Sequence, residues 1–245
     1  MTRRSTPFVL VAALALPLAA CGDDPAPTSS PSTVTVTQSP QTQEAAGPEQ
    51  QELTTQQIKA ALPTRDEAPQ GFLVDSRGFD TTSVSKRTTD PQSCLALYMS
   101  TPAQRAFDKE HGGDSASIRF THQKEEPGSP SISIAVWSYD APYPKEFFDE
   151  AGAALAECHE HTTQMSPDGS PGDWQADAIP TPTVGDQSFG VRIGRPDVDT
   201  GIDYMWVRSG HNLIHARMLT GYRQNNDSRL AKYTQGIVDD LKKTP

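Results

Sequence analysis

The apolar pattern of this chain predicts an α+β domain of two layers, an antiparallel β-sheet with helices packed on one face and one disulfide. Three observations predict it. Apolar and polar residues alternate with a period of two at residues 117–123, 131–139, 187–193, 202–208 and 212–220. Apolar residues recur at helical spacing at 145–159 and 228–243. The joints between neighbouring strand patterns are short and rich in Gly, Pro, Asp and Ser, as antiparallel connections are.

Each element follows from its residues. Thr54 or Thr55 can cap a short helix that carries Ile58, Ala61 and Leu62 on one side and ends at Pro63. Residues 71–80 read as extended. Residues 91–107 read as helical in two pieces, broken near Pro102 and carrying Cys94, Leu97 and Tyr98. In the hairpin that follows, Ile118, Phe120 and His122 share a side of one strand, and Ile132, Ile134 and Val136 share a side of the other. Glu125 to Pro130 supply the turn chemistry between them. The next helix places Phe147, Phe148, Ala151, Ala154, Leu155 and Cys158 at helical spacing. Residues 162–186, with prolines and glycines around Trp174, read as a long irregular loop, and loops of that length are usually functional or mobile. Three alternating segments then form a meander, and a last helix turns Leu230, Tyr233, Ile237, Val238 and Leu241 toward the sheet.

The first residues differ from everything after them. Arg3 and Arg4 precede an apolar run over residues 7–20, too short for the roughly 20 residues that cross a bilayer but suited to a secretory leader. Leu18, Ala19, Ala20 and Cys21 resemble the lipobox of bacterial lipoprotein signal peptides at every position. That resemblance implies cleavage after residue 20 and diacylglyceryl and palmitoyl chains on Cys21. Each buried methylene contributes about 0.8 kcal/mol, so two or more chains make a firm anchor. The expected organisation is a signal peptide at 1–20, a lipidated Cys21 with a tether over 21–52, and a folded domain over 53–245. Residues 22–52 hold no aromatic residue and no Leu, Ile or Met, so they cannot bury enough surface to offset ordering entropy. The expected location is the extracytoplasmic face of the cell membrane.

Outside the cytoplasm, Cys94 and Cys158 have an oxidising setting and only each other as partners, so they are expected to form the disulfide. Two isolated buried thiols are the competing reading. The formal charge of −10 disfavours nucleic acid as a partner.

The residues offer little catalytic chemistry. His159 and His161 would diverge by about 200 degrees on a helix, and no Cys/His set has zinc spacing, so neither a metal nor a cofactor is expected. Asp197, Asp199 and Asp203 alternate around Gly201 as in calcium loops, but the distal bidentate Glu is missing and a hairpin turn explains them equally. No Gly-x-Ser-x-Gly or Ser-x-x-Lys motif stands in a suitable setting, and Gly112, Gly113, Asp114 and Ser115 read as a loop with no helix after it. Trp137 and Trp206 lie on strands opposite more aliphatic faces. They line either a groove or a second core layer.

The helix from Leu53 to Leu62, the Cys94-Leu95-Ala96-Leu97-Tyr98 patch, the hairpin, and Phe147-Phe148 leading to Cys158 together resemble the extracellular sensor domain of actinobacterial PknH-type Ser/Thr kinases. That domain also occurs as free-standing lipoproteins. Its members usually carry two disulfides and a Trp three residues before the helical Cys, where this chain has one Cys pair and Leu155. The resemblance implies a non-catalytic ligand-binding or sensing domain with a cleft, here expected to be lined by the sheet and residues 162–186. A small molecule, a glycan or an envelope protein is the expected partner. The Mog1/PsbP-like lipoproteins are a second α+β class of binding proteins. A cell-envelope hydrolase with dispersed catalytic residues and a lipid carrier are the alternatives in function.

Overall fold

The computed structural model describes residues 46–76, 78–123, 129–224 and 226–243. The leader, Cys21 and most of the expected tether lie outside the described residues, as do Glu125 to Gly128 of the expected hairpin turn. Nine strands form one sheet: β1 (Phe72–Val74), β2 (Thr88–Asp90), β3 (Gly112–His122), β4 (Ser131–Tyr139), β5 (Glu160–Gln164), β6 (Gly172–Ala178), β7 (Gln187–Arg195), β8 (Thr200–Ser209) and β9 (Asn212–Thr220). Their order is β1-β3-β4-β9-β8-β7-β6-β5-β2, with antiparallel pairing throughout. Four α-helices accompany them among the described residues: α1 (Thr55–Ala61), α2 (Pro102–His111), α3 (Glu146–Glu157) and α4 (Asp227–Leu241). The class is α+β, as the alternation predicts.

Local chemistry places the helix starts. The Thr54 hydroxyl accepts from the Gln57 amide at 3.3 Å, and the Gln57 side chain accepts from the Thr54 amide at 2.9 Å, a reciprocal cap that satisfies two orphan donors. Thr101 and Gln104 repeat the device ahead of α2, where Pro102 occupies the first turn and needs no donor.

The helices are shared between both faces of the sheet, which corrects the expected two-layer arrangement with helices on one face. On the first face, α1 and α4 cover Phe120, Ile132, Ile134, Val136, Met205, Val207, Ile214 and Ala216. On the second, α3 and a 3-10 helix at Gln92–Tyr98 cover Val191, Ile193, Tyr204, Trp206 and Leu213. Neighbouring residues of β8 and β9 therefore point into different cores, because side chains alternate across a strand. The Cys94–Cys158 disulfide lies in the second core and joins the 3-10 helix to the end of α3. Closing a loop of 64 residues contributes about 4 kcal/mol in the chain-entropy picture.

Three further expectations change. Residues 162–186 are not a single irregular loop: they contain the end of β5 and all of β6, which pair with each other and with β2 and β7. Gly112 to Ser115 begin β3 instead of forming a loop. The folded body also starts earlier than residue 53. Pro48–Gln50 form a 3-10 turn docked on the β8–β9 connection, where the Glu49 carbonyl accepts from Ser209 and Asn212 at 2.9 Å each, and the Gln50 carbonyl accepts from the His211 amide at 3.0 Å. Gly210 sits there at φ +55°, and any side chain on it would collide with Gln50.

Candidate functional site

The second sheet face changes character along its width. Over β5–β7 it is covered by helices. The helix cover extends to Tyr204 and Trp206 of β8, and beyond it, over β3, Trp137 of β4 and His215 and Arg217 of β9, the face is crossed instead by the segment 78–87, which runs between β1 and β2. The sheet residues that meet that strap are Ser115 and Ser117 of β3, Trp137 of β4, and His215 and Arg217 of β9; Arg119 of β3 and Tyr204 and Trp206 of β8 lie beside them on the same face. Register brings them together: Arg119 lies opposite Ser133, Ser133 opposite Arg217, and Arg217 opposite Tyr204, while His215 lies opposite Trp206.

The rings form a continuous row. His215 stacks on Trp206 with centroids 3.8 Å apart and planes 7° from parallel. Trp137 flanks it on the other side at 6.1 Å, and Tyr204 lies at 5.8 Å. Tyr98 meets Tyr204 edge-on at 6.1 Å and continues the row to His161 at 5.9 Å. Phe79, from the strap, caps the row edge-on to both Trp137 and His215, and the Arg217 guanidinium lies over the Phe79 ring at 4.3 Å. At the far end the Arg87 guanidinium covers Tyr98 at 3.9 Å.

The two histidines of this row differ in one decisive respect. His161 is satisfied: its Nδ1 donates to the Cys158 carbonyl at 3.0 Å, and its Nε2 accepts from the Tyr98 hydroxyl at 2.9 Å. His215 is 3% exposed, and neither ring nitrogen has a hydrogen-bond partner. The indole nitrogen of Trp206 and the Nε atoms of Arg87 and Arg119 are also buried without hydrogen bonds. A stacked ring pair contributes about 0.5–1.5 kcal/mol beyond its buried area, whereas a buried unpartnered polar group costs about 1–3 kcal/mol. A carbon ring at position 215 would serve the fold at least as well, so stability alone does not account for this histidine.

The charge on this face is also unbalanced. Asp75 approaches Arg119 Nε at 3.8 Å, but among the described residues neither Arg87 nor Arg217 has an ion-pair partner. Burial pushes the Arg217 guanidinium below its ordinary range, and the positive charges of Arg119 and Arg87 push the same way. Burial, then Arg217 and Arg87, hold the His215 imidazole well below the usual histidine range. A protein with net charge −10 thus keeps three guanidiniums close together on one face, Arg119 among them still 36% exposed.

The strap itself is held lightly. Ser117 Oγ accepts from the Phe79 amide at 3.2 Å and donates to the Phe79 carbonyl at 2.5 Å. Trp137 Nε1 donates to the Thr81 carbonyl at 2.9 Å, and Thr81 and Ser115 share a hydroxyl contact of 2.9 Å. Thr82, Ser83, Val84, Ser85 and Lys86 are exposed, and between β1 and β2 the strap adds no strand to the sheet.

Two open grooves lie elsewhere. One, of about 680 Å³, is lined by Asp90, Glu160, His161, Thr162, Trp174 and Arg195, among others, so part of its wall comes from the stretch expected to border a cleft. The other, of about 820 Å³, separates Pro63, Glu67 and Pro69 from Lys232 and Tyr233 of α4. The first touches the row only at its far end, His161, and the second does not reach it.

The remaining candidate residues are dispersed. His111 pairs with Asp140 at 2.8 Å, His159 lies 3.3 Å from Asp177, and His211 bonds the Tyr139 carbonyl. Among the described residues no three His, Cys, Asp or Glu side chains converge as a metal site. Asp203 is turned away from Asp197: it is buried on the first face and held by Arg192, while Asp197 pairs with Arg195 in solvent. Of the groove and the second core layer that sequence allows for Trp137 and Trp206, the structure has the core layer: Trp206 is buried in the second core, and Trp137 packs against it and bonds the strap. Phe79, Arg87, Arg119 and Arg217 escape sequence reasoning. The available signal was the set Leu213, His215, Arg217 and Leu219, which mixes charge with apolar groups on one side of a strand whose other side is core.

The fold is thus an α+β domain with one sheet face stabilised by helices and the other partly kept for a strapped, cationic row of rings. It is similar to a solved extracellular domain. The extracellular domain of PknH from Mycobacterium tuberculosis matches with a TM-score of 0.60 at 12% identity, over 80% of this chain and 100% of that one. An uncharacterized protein from Mycobacterium smegmatis matches with a TM-score of 0.43 at 12% identity, over 77% of this chain and 95% of that one. No protein-family model matches the chain, and no curated protein sequence matches it. The PknH resemblance read from the sequence is therefore present in the fold.

Proposed function

We propose that this chain is a membrane-anchored extracytoplasmic lipoprotein whose α+β domain captures a ligand and does not transform it. The observation that carries the reading is the strapped ring row, where buried nitrogens of His215, Trp206, Arg87 and Arg119 lack hydrogen bonds. Buried polar groups left unsatisfied in a folded protein call for a reason, and a ligand that completes them is one. The fold shared with the PknH extracellular domain supports an extracytoplasmic setting. No helix of the described residues is long and apolar enough to cross a membrane, which fits attachment through a lipid on Cys21. His215 stacks on aromatic rings and hydrogen-bonds no hydroxyl or thiol among the described residues, so it is not set up to activate a nucleophile. Both grooves are open and partly polar, unlike the closed apolar cavity that carrying a lipid requires.

Native mass spectrometry of the protein purified from its own envelope tests the reading. It predicts a diacylated N-terminal Cys21 and a retained small molecule. An unlipidated cytosolic protein, or turnover of a substrate by the domain, contradicts it.

A further inference from the structure

We infer that the strapped row is a binding site for an aromatic anion, and that Phe79 occupies in this structure the slot the ligand ring would take. The inference rests on the capture reading above and names its ligand class. Phe79 lies between the edges of Trp137 and His215 and the guanidinium of Arg217. A flat ring entering that space keeps the same ring contacts, and an acidic substituent on it meets what the phenyl ring cannot satisfy. Arg217 has no ion-pair partner among the described residues, and Arg119 has Asp75 only at 3.8 Å. Within the same patch, His215 and Trp206 offer ring nitrogens with no hydrogen bonds.

The sign of the ligand follows from the patch. Guanidiniums stack on rings and grip carboxylates or sulfonates with paired donors. A cationic ligand would add to the repulsion already present among Arg87, Arg119 and Arg217. A neutral one would leave their charge uncompensated in a place with restricted solvent access.

Entry needs only the Phe79 end of the strap to lift. That end is fixed by the two Ser117 bonds, the Trp137 and Ser115 contacts with Thr81, and the Phe79 ring, while the other end stays anchored by Arg87, whose carbonyl accepts from Arg105 at 2.7 Å and whose guanidinium covers Tyr98. Gly78, at φ +66°, begins the segment where an L side chain would resist the turn. The sheet beneath need not move, because the strap contributes no strand to it.

Calorimetric titration of the intact chain carrying Cys21→Ala, with 2-naphthoate, 2-naphthylmethanol and 2-naphthylmethylammonium as probes, tests this. The acid is expected to bind at least about tenfold more tightly than the alcohol, the scale of one charge-assisted hydrogen bond, and the ammonium most weakly. Arg217→Gln should abolish the preference for the acid while weakening the alcohol only by the lost stacking of the guanidinium on its ring, a few-fold at most. Phe79→Ala vacates the slot and should tighten 2-naphthoate by about fivefold or more, since a closed strap lowers apparent affinity by the fraction of open molecules. Ser117→Ala, which frees the strap without removing a ring, should tighten it in the same direction and serves if Phe79→Ala fails to fold. Equal binding of acid and alcohol, or tight naphthoate binding indifferent to Arg217→Gln, overturns the inference. So does weaker binding in a folded Phe79→Ala or Ser117→Ala. Recovery of an uncharged or non-aromatic ligand from the native protein overturns the ligand class and leaves capture intact. Absence of any ligand, together with no probe binding, removes both.

Discussion

Two largely buried arginines on opposite faces of the sheet, Arg192 on β7 and Arg217 on β9, show how differently its two sides are finished. Arg192 grips Asp203 through two bonds of 2.6 and 2.7 Å, donates to the Tyr222 and Gln224 carbonyls, and ties the β9–α4 connection to the sheet; Asn226 adds a third bond to Asp203 at 3.0 Å. Arg217 covers a phenyl ring, and no carboxylate among the described residues pairs with it. Around Arg192 the buried charge is fully answered, as stability requires. Beside Arg217, both ring nitrogens of His215 and the indole nitrogen of Trp206 are buried without hydrogen bonds. It is this lack of partners, and not burial, which both faces share, on which the capture reading proposed above rests.

That contrast can be broken most forcefully on the first face. Asp203→Ala leaves Arg192 without its carboxylate and should lower stability by about 3–5 kcal/mol in urea unfolding. Phe120, fully buried under α4, should cost about 3–5 kcal/mol when cut to Ala. Phe79→Ala should cost less than half as much, about 1–2 kcal/mol, because the ring is half-buried and its strap can settle. Equal losses at Phe120 and Phe79 would mean that the strap is an ordinary part of the core.

The smallest effect is also the most specific. His215 titrates below its ordinary value because of burial and then of Arg217 and Arg87, and burial lowers His161 as well. In the unfolded chain both take up protons near pH 6.5, so from there downward the unfolded state binds more protons than the native one. Stability should be flat above about pH 6.5 on their account and fall below it, by at most about 1.4 kcal/mol per pH unit for each histidine. Asp186, whose carboxyl is held low by the Gly210 amide, Arg208 and Gln50 against the effect of burial, acts only below about pH 4 and does not blur that window. His215→Phe should remove its share of the slope and add about 1 kcal/mol at pH 7 by removing two unpartnered nitrogens. A variant that is less stable at pH 7 would show that the imidazole serves the fold.

Much of the architecture was legible because period-two alternation fixes which residues share a face. Ile118 and Phe120, and across from them Ile132, Ile134 and Val136, fall on the face the alternation assigns, and Thr54 caps α1 as its position suggests. The placement of helices on both faces was less legible, although the run from Tyr204 to Val207 is apolar at every position, the mark of a strand buried on both sides. β5 and β6 were hidden because Glu, Gln, Asp, Gly and Ala, which disfavour strands, outnumber Thr162, Thr163 and Trp174, and pairing with β2 and β7 decides their conformation. The candidate site was the least legible part. It joins Phe79, Arg87, Tyr98, Arg119, Trp137 and His215 from distant parts of the chain, and only the register of the strands brings them together.

Native-state hydrogen exchange at the Phe79 amide, bonded to Ser117 Oγ, tests most directly whether the strap is a separable cover over a capture surface. The account predicts exchange by local opening, insensitive to low concentrations of denaturant, while amides of Ile134 and Ile214 exchange only with global unfolding. Exchange of Phe79 at the same free energy and with the same denaturant dependence as those core strands would contradict it.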